Sequence, residues 1–327
     1  MTLVGGRLSQ LDVRALDPPP RLIMNPRAGQ KLGVPTNVAN VDVVQAVLEA
    51  AGIRFQLEPT LAPKHATRLA RAAVRDGCKL VIAGGGDGTI AEAAEGLADS
   101  DSALGIMPLG SIMNMARTLC IPRDLRRAAE VIADGRVLAM DAGRVADHYF
   151  LEAGGVGLAA GLFGYFERVD TGRVRLRGAL RGGWRFLTNI GTPRMRIEVD
   201  GEAIVERTPM VTVSNGPFVG AAYALAPRAL VDDGLLDVVI FRRASAQRVL
   251  LHMLLVAGGR RLPPPPDAQV LHARTVRVAM MRRRPLPVHA DGSLVGTTPA
   301  TFEVLPASLK VLVGRPEPGA ACAWATE

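Results

Sequence analysis

The spacing of hydrophobic residues differs between the two halves of the chain. Between Arg21 and Gly135, short apolar runs alternate with segments in which apolar residues recur every three or four positions. This alternation predicts a parallel sheet with helices on its faces. The predicted strands are Leu22–Met24, Ile53–Leu57, Lys79–Ala83 and Leu104–Met107, and the predicted helices are Val41–Ala51, His65–Arg75 and Leu125–Ala133.

After about Ala139 the pattern changes to short apolar strands separated by turn residues such as Asp200-Gly201. The predicted strands here are Met195–Val199, Pro209–Val213, Leu235–Phe241, Val276–Met280 and Thr301–Leu305. The predicted fold class is therefore α/β, with an N-terminal doubly wound parallel-sheet domain followed by a mainly antiparallel β-sandwich domain. The predicted divisions are a flexible tail at 1–20, the α/β domain at 21–139, the β-rich domain at 140–315 and a tail at 316–327.

Composition narrows the class of partner. The chain has 327 residues and a net charge of +8, which favours phosphorylated ligands or an anionic membrane surface, whereas 4% aromatic residues and the lack of nucleic-acid-binding motifs argue against nucleic acid. No apolar run is long enough to span a bilayer, and the N-terminus lacks a signal-peptide pattern, so we expect a cytoplasmic protein. The three cysteines, Cys78, Cys120 and Cys322, have no metal-ligand spacing and are predicted to be buried residues outside any disulfide framework.

The segment Gly84–Thr89 carries the clearest chemical signal. It follows the apolar run Leu80–Ala83 and precedes a helical segment, so it predicts a strand, a glycine turn and a helix start. Backbone N–H groups at such a junction can hold phosphate oxygens. A carboxylate would repel phosphate, so Asp87 is predicted to face Mg²⁺ or a hydroxyl that loses its proton.

Two further loops are expected to lie beside this glycine loop. Asn25–Gly29 and Pro108–Asn114 also follow predicted parallel strands. Ligands in such sheets bind at the carboxyl ends of the strands, so the three loops predict one ligand site.

Several separated segments of the chain resemble the diacylglycerol kinase catalytic-domain family, which includes bacterial soluble lipid kinases and sphingosine kinases. The resemblance extends from about Arg21 to Val313. It rests on the three loops above and on four segments of the second half, Val213–Gly216, Ala226-Pro227, Asp232–Asp237 and Asp291-Gly292.

The resemblance implies an ATP- and Mg²⁺-dependent kinase that phosphorylates a lipid hydroxyl, with diacylglycerol or a related lipid as the substrate. It implies a nucleotide site formed by Asn25, Gly84, Gly85, Gly86, Asp87, Gly88, Thr89, Ser111 and Asn114. It assigns Asp87 and Asp291 to catalysis. It also implies a structural Mg²⁺ held by Asp233 and by the backbone carbonyls of Leu230 and Leu235.

The chain departs from the family pattern at two places besides Ala28, which replaces a usual serine. Met113 occupies the position of a usual asparagine, with Asn114 in that of an aspartate, and Ser293 replaces the glutamate of an Asp-Gly-Glu motif. Asp-Gly between two strands is also a strong hairpin signal, so a purely structural role for Asp291 stays open.

The segment Phe163–Leu187 has arginines at every fourth position from Arg173 to Arg185. On a helix they would form one stripe, which could meet an anionic bilayer as a peripheral contact or lie on an ordinary amphipathic helix. Two other functions stay open: a weakly active or inactive relative that binds nucleotide or lipid, and an NAD kinase. The oligomeric state also stays open, with a homodimer as the assembly considered.

Overall fold

The computed structural model describes residues 8–26, 28, 30–31, 34–35, 41–170, 191–219, 223–242, 244–257, 268–281, 284–316 and 322–324. The chain forms two compact units. Unit 1 comprises Met1–Ala142, Leu230–Asp233 and Pro306–Glu327, and unit 2 comprises Gly143–Ala229 and Gly234–Leu305.

Among the described residues, unit 1 contains five α-helices and all the parallel strand pairs. Its helices are α1 (Val41–Ala50), α2 (His65–Arg75), α3 (Asp87–Leu97), α4 (Asn114–Thr118) and α5 (Leu125–Asp134). Its strands are β1 (Leu8–Gln10), β2 (Arg21–Met24), β3 (Gln30–Lys31), β4 (Val34–Pro35), β5 (Gln56–Pro59), β6 (Leu80–Gly85), β7 (Ala103–Pro108), the first part of β8 (Arg136–Val145) and the last part of β21 (Ala300–Leu312).

The central strands of unit 1 are parallel and run in the order β5-β2-β6-β7. β6 and β7 are buried along their whole length, as expected of strands covered on both faces. Helix α1 packs against α5, and α2 packs against α3. The predicted doubly wound parallel sheet is thus confirmed.

The strand order reverses direction between β2 and β6, because β5 lies on one side of β2 while β6 and β7 lie on the other. Such a switch point leaves a crevice at the carboxyl ends of the strands. Met24 ends β2, Gly85 ends β6 and Pro108 ends β7, so the three predicted loops leave the same edge of the sheet.

The strand predicted at Ile53–Leu57 begins later, at Gln56. Gly52 has φ +77°, its N–H donates to the Glu49 carbonyl, and the N–H of Ile53 donates to the Leu48 carbonyl. These two bonds form a Schellman cap, in which the residue after the glycine packs back on the helix. Ile53 is buried for this reason, so its hydrophobicity belongs to the helix end.

Both chain ends differ from the predicted tails. β1 pairs with Arg136–Leu138, and Val13 is buried. At the other end, Cys322 forms a disulfide with Cys120, so the expectation that these cysteines are unpaired was wrong. Trp324 is buried, and the backbone of Ala323 exchanges hydrogen bonds with Thr118 and Val231, which are all part of unit 1.

Unit 2 is built mainly from strands. They are the end of β8, β9 (His148–Phe150), β10 (Ala153–Gly157), β11 (Arg194–Val199), β12 (Glu202–Arg207), β13 (Met210–Ser214), β14 (Phe218–Val219), β15 (Tyr223–Ala224), β16 (Leu236–Phe241), β17 (Ala268–Ala273), β18 (Thr275–Met280), β19 (Pro287–Ala290), β20 (Ser293–Thr297) and the first part of β21 (Ala300–Leu312). Its described helices are α6 (Leu158–Asp170) and α7 (Ala246–Ala257).

The strands of unit 2 form two antiparallel layers around one hydrophobic core. One layer has the order β12-β11-β18-β21, and the other has the order β17-β16-β13-β10-β19-β20. Ile197 and Val278 of the first layer share a buried cluster with Val211 and Val238 of the second. The predicted antiparallel sandwich is confirmed. Along the described part of the chain, no helix is both long enough and apolar enough to cross a membrane.

Candidate functional site

The first and second loops of unit 1 are joined through Asn25. Its side-chain amide donates a hydrogen bond to the hydroxyl of Thr89 over 3.1 Å, and its backbone N–H donates to the Gly84 carbonyl over 2.9 Å. Asn25 follows β2 directly, whereas Thr89 lies in the first turn of α3. These bonds bring two predicted site residues together at the switch point.

The glycines of the second loop differ in how strictly the fold requires them. A Cβ on Gly84 would lie 2.5 Å from the Met24 sulfur, and one on Gly85 would lie 2.5 Å from the Thr89 Cβ. Gly85 is therefore needed for packing, whereas a side chain at position 84 would require the Met24 side chain to shift. A Cβ on Gly88 would have no described heavy atom within 4 Å and its φ is an ordinary one, so the fold does not require glycine there.

Asp87 connects the second loop to the third. Its carboxylate accepts hydrogen bonds from the backbone N–H groups of Met113 over 2.9 Å and Met115 over 3.3 Å. Burial raises the pKa of the Asp87 carboxyl above its ordinary value, and backbone N–H bonds oppose that shift because they favour the ionised form. The carboxylate thus holds the start of α4, and its predicted contact with Mg²⁺ or a hydroxyl stays a prediction.

The third loop carries Ser111 and Asn114. Ser111 is exposed, and Asn114 is buried at the start of α4. Met113, between them, has φ +58°, a left-handed conformation that is uncommon for residues other than glycine. A Cβ on Gly110 would lie 2.7 Å from the Gly86 Cα, so the second and third loops touch through their backbones.

One residue of this region was not singled out from the sequence. The guanidinium of Arg123 donates hydrogen bonds to the carbonyls of Gly110 and Ser111. Twelve or thirteen residues separate the partners, so no periodic pattern marks the contact. The only local signal is Asp124, an N-cap residue that fixes the start of α5 next to Arg123.

An open groove of about 710 Å³ lies elsewhere on unit 1, along the connection from α4 to α5. Its lining includes Arg123, Arg127 and Arg315 and none of the predicted site residues. Arg315 pairs with Asp134 in this lining. The predicted nucleotide loops therefore do not coincide with this groove.

Asp291 belongs to unit 2 and forms a two-residue hairpin with Gly292 between β19 and β20. Its carboxylate accepts hydrogen bonds from the backbone N–H groups of Leu151 over 2.7 Å, Glu152 over 2.9 Å and Ala153 over 3.1 Å. A carboxylate has about four lone-pair positions, so few are left for a substrate hydroxyl. This geometry favours an architectural role, and the catalytic role of Asp291 stays a prediction.

The proposed structural Mg²⁺ ligands are distributed over both units. Leu230 and Asp233 belong to unit 1, and Leu235 belongs to unit 2. Asp233 lies in an exposed turn that ends at Gly234. One carboxylate and two carbonyl oxygens are the hard donors that Mg²⁺ prefers, so the donor chemistry fits the ion. Among the described residues, no cluster of three or more His, Cys, Asp or Glu side chains forms a metal site.

Three of the sequence predictions concern positions outside the described residues. They are Arg27 and Gly29 of the first loop and the arginine stripe from Arg173 to Arg185.

Two family matches together cover most of the chain. Residues 19–145 match the diacylglycerol kinase catalytic domain. Residues 167–313 match the YegS C-terminal NAD kinase beta sandwich-like domain.

Curated relatives are similar over much of their length. A diacylglycerol kinase of Bacillus subtilis is 28% identical over 86% of this chain and 92% of its own. A diacylglycerol kinase of Mycobacterium tuberculosis is 30% identical over 78% of this chain and 82% of its own length. A probable YegS-like lipid kinase of Klebsiella pneumoniae is 35% identical over 60% of this chain and 67% of its own length.

The fold is also similar to solved structures. The crystal structure of a putative diacylglycerol kinase from Bacillus anthracis aligns with this chain with a TM-score of 0.69 at 24% identity. The alignment covers 90% of this chain and 97% of the Bacillus anthracis chain.

Proposed function

Because this chain belongs to the diacylglycerol kinase catalytic-domain family, we propose that it transfers the γ-phosphoryl group of ATP to the hydroxyl of diacylglycerol or a related lipid, with Mg²⁺ as the cofactor. The family makes it a phosphotransferase of the lipid kinase type.

The observation that carries the proposal is the joining of three loops at one edge of the parallel sheet of unit 1. Asn25 is bonded to Thr89, the Asp87 carboxylate is bonded to Met113, and Gly86 touches Gly110. The contacts use side chains and glycines that β-strand and helix formation do not require. A site that holds phosphate oxygens by backbone N–H groups needs loops positioned in this way before the ligand arrives.

Phosphoryl transfer depends mainly on positioning and on neutralising charge. In this proposal the backbone of Gly84–Gly88 and the hydroxyls of Thr89 and Ser111 hold phosphate oxygens. Asn25, which is bonded to Thr89, shapes the nucleotide edge of the site. Bound Mg²⁺ would neutralise phosphate charge. The proposed role of Asp87 is to face Mg²⁺ or the reacting hydroxyl, while its bonds to Met113 and Met115 hold the third loop in place. Asp291 remains the proposed acceptor of the lipid hydroxyl proton.

The lipid substrate requires a membrane contact, for which the arginine stripe from Arg173 to Arg185 and the net charge of +8 are the supporting features. We propose a cytoplasmic protein that binds an anionic membrane surface peripherally. Each arginine near such a surface contributes about 1 kcal/mol, so binding to anionic vesicles should weaken as salt is added.

A catalytically weak or inactive relative is the second candidate. It is favoured by Ser293 in place of the family glutamate and by the three backbone bonds that occupy the Asp291 carboxylate. An NAD kinase is the third.

One assay separates these candidates. The purified protein is incubated with γ-labelled ATP, Mg²⁺ and either diacylglycerol, a panel of other single-hydroxyl lipids or NAD. Label in a lipid supports the proposal, and label in NAD supports the NAD kinase. Mg-ATP binding with no labelled product would support the inactive relative.

A further inference from the structure

The third loop of unit 1 is held from two sides by opposite charges. The Asp87 carboxylate accepts the N–H groups of Met113 and Met115. On the other side, the Arg123 guanidinium donates to the Gly110 carbonyl over 2.9 Å and to the Ser111 carbonyl over 3.0 Å. The six-residue stretch Gly110–Met115 thus has two of its N–H groups bound to an anion and two of its carbonyls bound to a cation.

Arg123 is well placed to hold two consecutive carbonyls. The guanidinium group is planar, so its two terminal nitrogens hold a fixed fork in which each donates to one carbonyl. A lysine cannot reproduce this geometry. The backbone beside it is fixed as well, because the Asp124 carboxylate accepts the Arg127 N–H over 2.9 Å at the start of α5. The side chain is exposed overall, so these bonds and not packing define its position.

Peptide geometry converts these two bonds into the orientation of two donors. In a trans peptide the C=O and N–H groups point in opposite directions. The Gly110 carbonyl shares its peptide with the Ser111 N–H, and the Ser111 carbonyl shares its peptide with the Ile112 N–H. Both N–H groups therefore point away from Arg123. Successive N–H groups with the same direction form a concavity that binds anions.

We propose that Arg123 is a positioning residue of the nucleotide site, which holds the Gly110 and Ser111 carbonyls so that the Ser111 and Ile112 N–H groups face a phosphate group of the nucleotide. This inference rests on the proposed kinase function. It adds a residue outside the glycine loop that acts on the phosphates through the backbone of the third loop.

The test compares Arg123→Met, Arg123→Lys and the control Arg126→Met, which removes an exposed arginine on α5 that pairs with Glu130. Amide hydrogen exchange of residues 109–116 is measured first without nucleotide. We expect exchange to be about tenfold faster in Arg123→Met, intermediate in Arg123→Lys and unchanged in the control, since two hydrogen bonds to a charged group are lost. Unchanged exchange in Arg123→Met would overturn the proposed clamp.

Steady-state kinetics with ATP and lipid are measured next. We expect the KM for ATP to rise about tenfold in Arg123→Met, with partial recovery in Arg123→Lys, while the KM for lipid and the melting temperature stay close to those of the control. An equal rise in both KM values, or none, would contradict a role in phosphate positioning. If the wild type phosphorylates no lipid, the kinase proposal fails; calorimetric titration with Mg-ATP then tests Arg123 by itself, and equal affinities of wild type and Arg123→Met would overturn the inference.

Discussion

Asp200 and Asp291 occupy equivalent positions in two hairpins of unit 2. Each is followed by a glycine, each pair has positive φ angles, and each forms a two-residue turn. The N–H of Asp200 donates to the Thr275 carbonyl, and its carboxylate accepts the N–H groups of Arg274 and Thr275. Likewise, the N–H of Asp291 donates to the Ala153 carbonyl, and the Asp291 carboxylate accepts a bond from the Ala153 N–H.

This repetition predicts that both aspartates stabilise unit 2. In Asp291→Asn or Asp200→Asn, an amide NH₂ replaces one acceptor oxygen opposite backbone N–H groups, and a buried donor left without a partner costs about 1–3 kcal/mol. We expect Asp291→Asn, whose bonds are partly buried, to lose about this much free energy of unfolding, and Asp200→Asn, whose bonds are exposed to water, to lose less, as measured by urea denaturation. A stability of Asp291→Asn equal to that of the wild type would show that the observed bonds do not hold the turn.

The same pair of variants tests the catalytic assignment of Asp291. If this carboxylate accepts the lipid proton, its removal should lower kcat about 10²–10⁴-fold. Asp200→Asn controls for stability loss in the same unit, and both rates are measured well below the melting temperatures. Equal kcat values in the two variants would remove Asp291 from the reaction.

Ser293→Glu is expected to raise kcat for lipid phosphorylation, because it restores a second carboxylate next to Asp291. Ser293 is exposed at the start of β20, where a longer side chain meets little obstruction. Ser293→Gln has the same size without the charge and serves as the control. If both variants increase the rate equally, or neither does, the missing carboxylate does not limit this enzyme.

The sequence was sufficient for the features that follow from local pattern. The alternation of apolar runs and helical segments predicted the parallel sheet, and the Asp-Gly pairs marked two hairpins. Long-range contacts had no such signal. These contacts join distant positions: Arg123 donates to Gly110, the Leu151 N–H donates to Asp291, and Cys120 is bonded to Cys322. Leu230–Asp233 likewise belong to unit 1 although most of that unit lies far from them in the chain. They depend on the fold and not on the spacing of residue types.

Gly88 and Gly85 give a matched test of the nucleotide loop. The fold leaves space for a side chain at Gly88, whereas a Cβ at Gly85 would collide with Thr89. We therefore expect Gly88→Leu to keep the stability of the wild type and to weaken Mg-ATP binding at least about tenfold, since the side chain covers N–H groups at the start of α3. Gly85→Val should lose stability. Thermal unfolding and calorimetric titration measure the two effects, and wild-type affinity in Gly88→Leu would exclude this loop from the site.

The Cys120–Cys322 disulfide should stabilise unit 1. The bond joins residues 202 positions apart and fixes the segment that contains buried Trp324. A disulfide typically contributes about 2–4 kcal/mol to stability. We expect Cys120→Ser, Cys322→Ser and the double variant to lose similar amounts, because either single change removes the whole bond. Alkylation of the unfolded, unreduced protein should modify only Cys78, and three modified thiols would contradict the bond.

His289 should make the stability of unit 2 depend on pH. It is fully buried in β19 beside Phe163, and burial lowers its pKa from 6.5 to about 3. The folded state therefore keeps the imidazole neutral, while the unfolded state binds a proton below pH 6.5. His289 therefore does not lower the free energy of unfolding above pH 6.5. Below that pH the free energy of unfolding falls by about 1.4 kcal/mol per pH unit as the pH drops towards 3. The free energy of unfolding is measured in urea at pH 7.5, 6.5, 5.5 and 4.5 for the wild type and for His289→Gln. The difference between the two proteins is used because the contributions of the titrating groups that they share cancel in it. Parallel pH profiles for the two proteins would show that His289 does not titrate differently on folding.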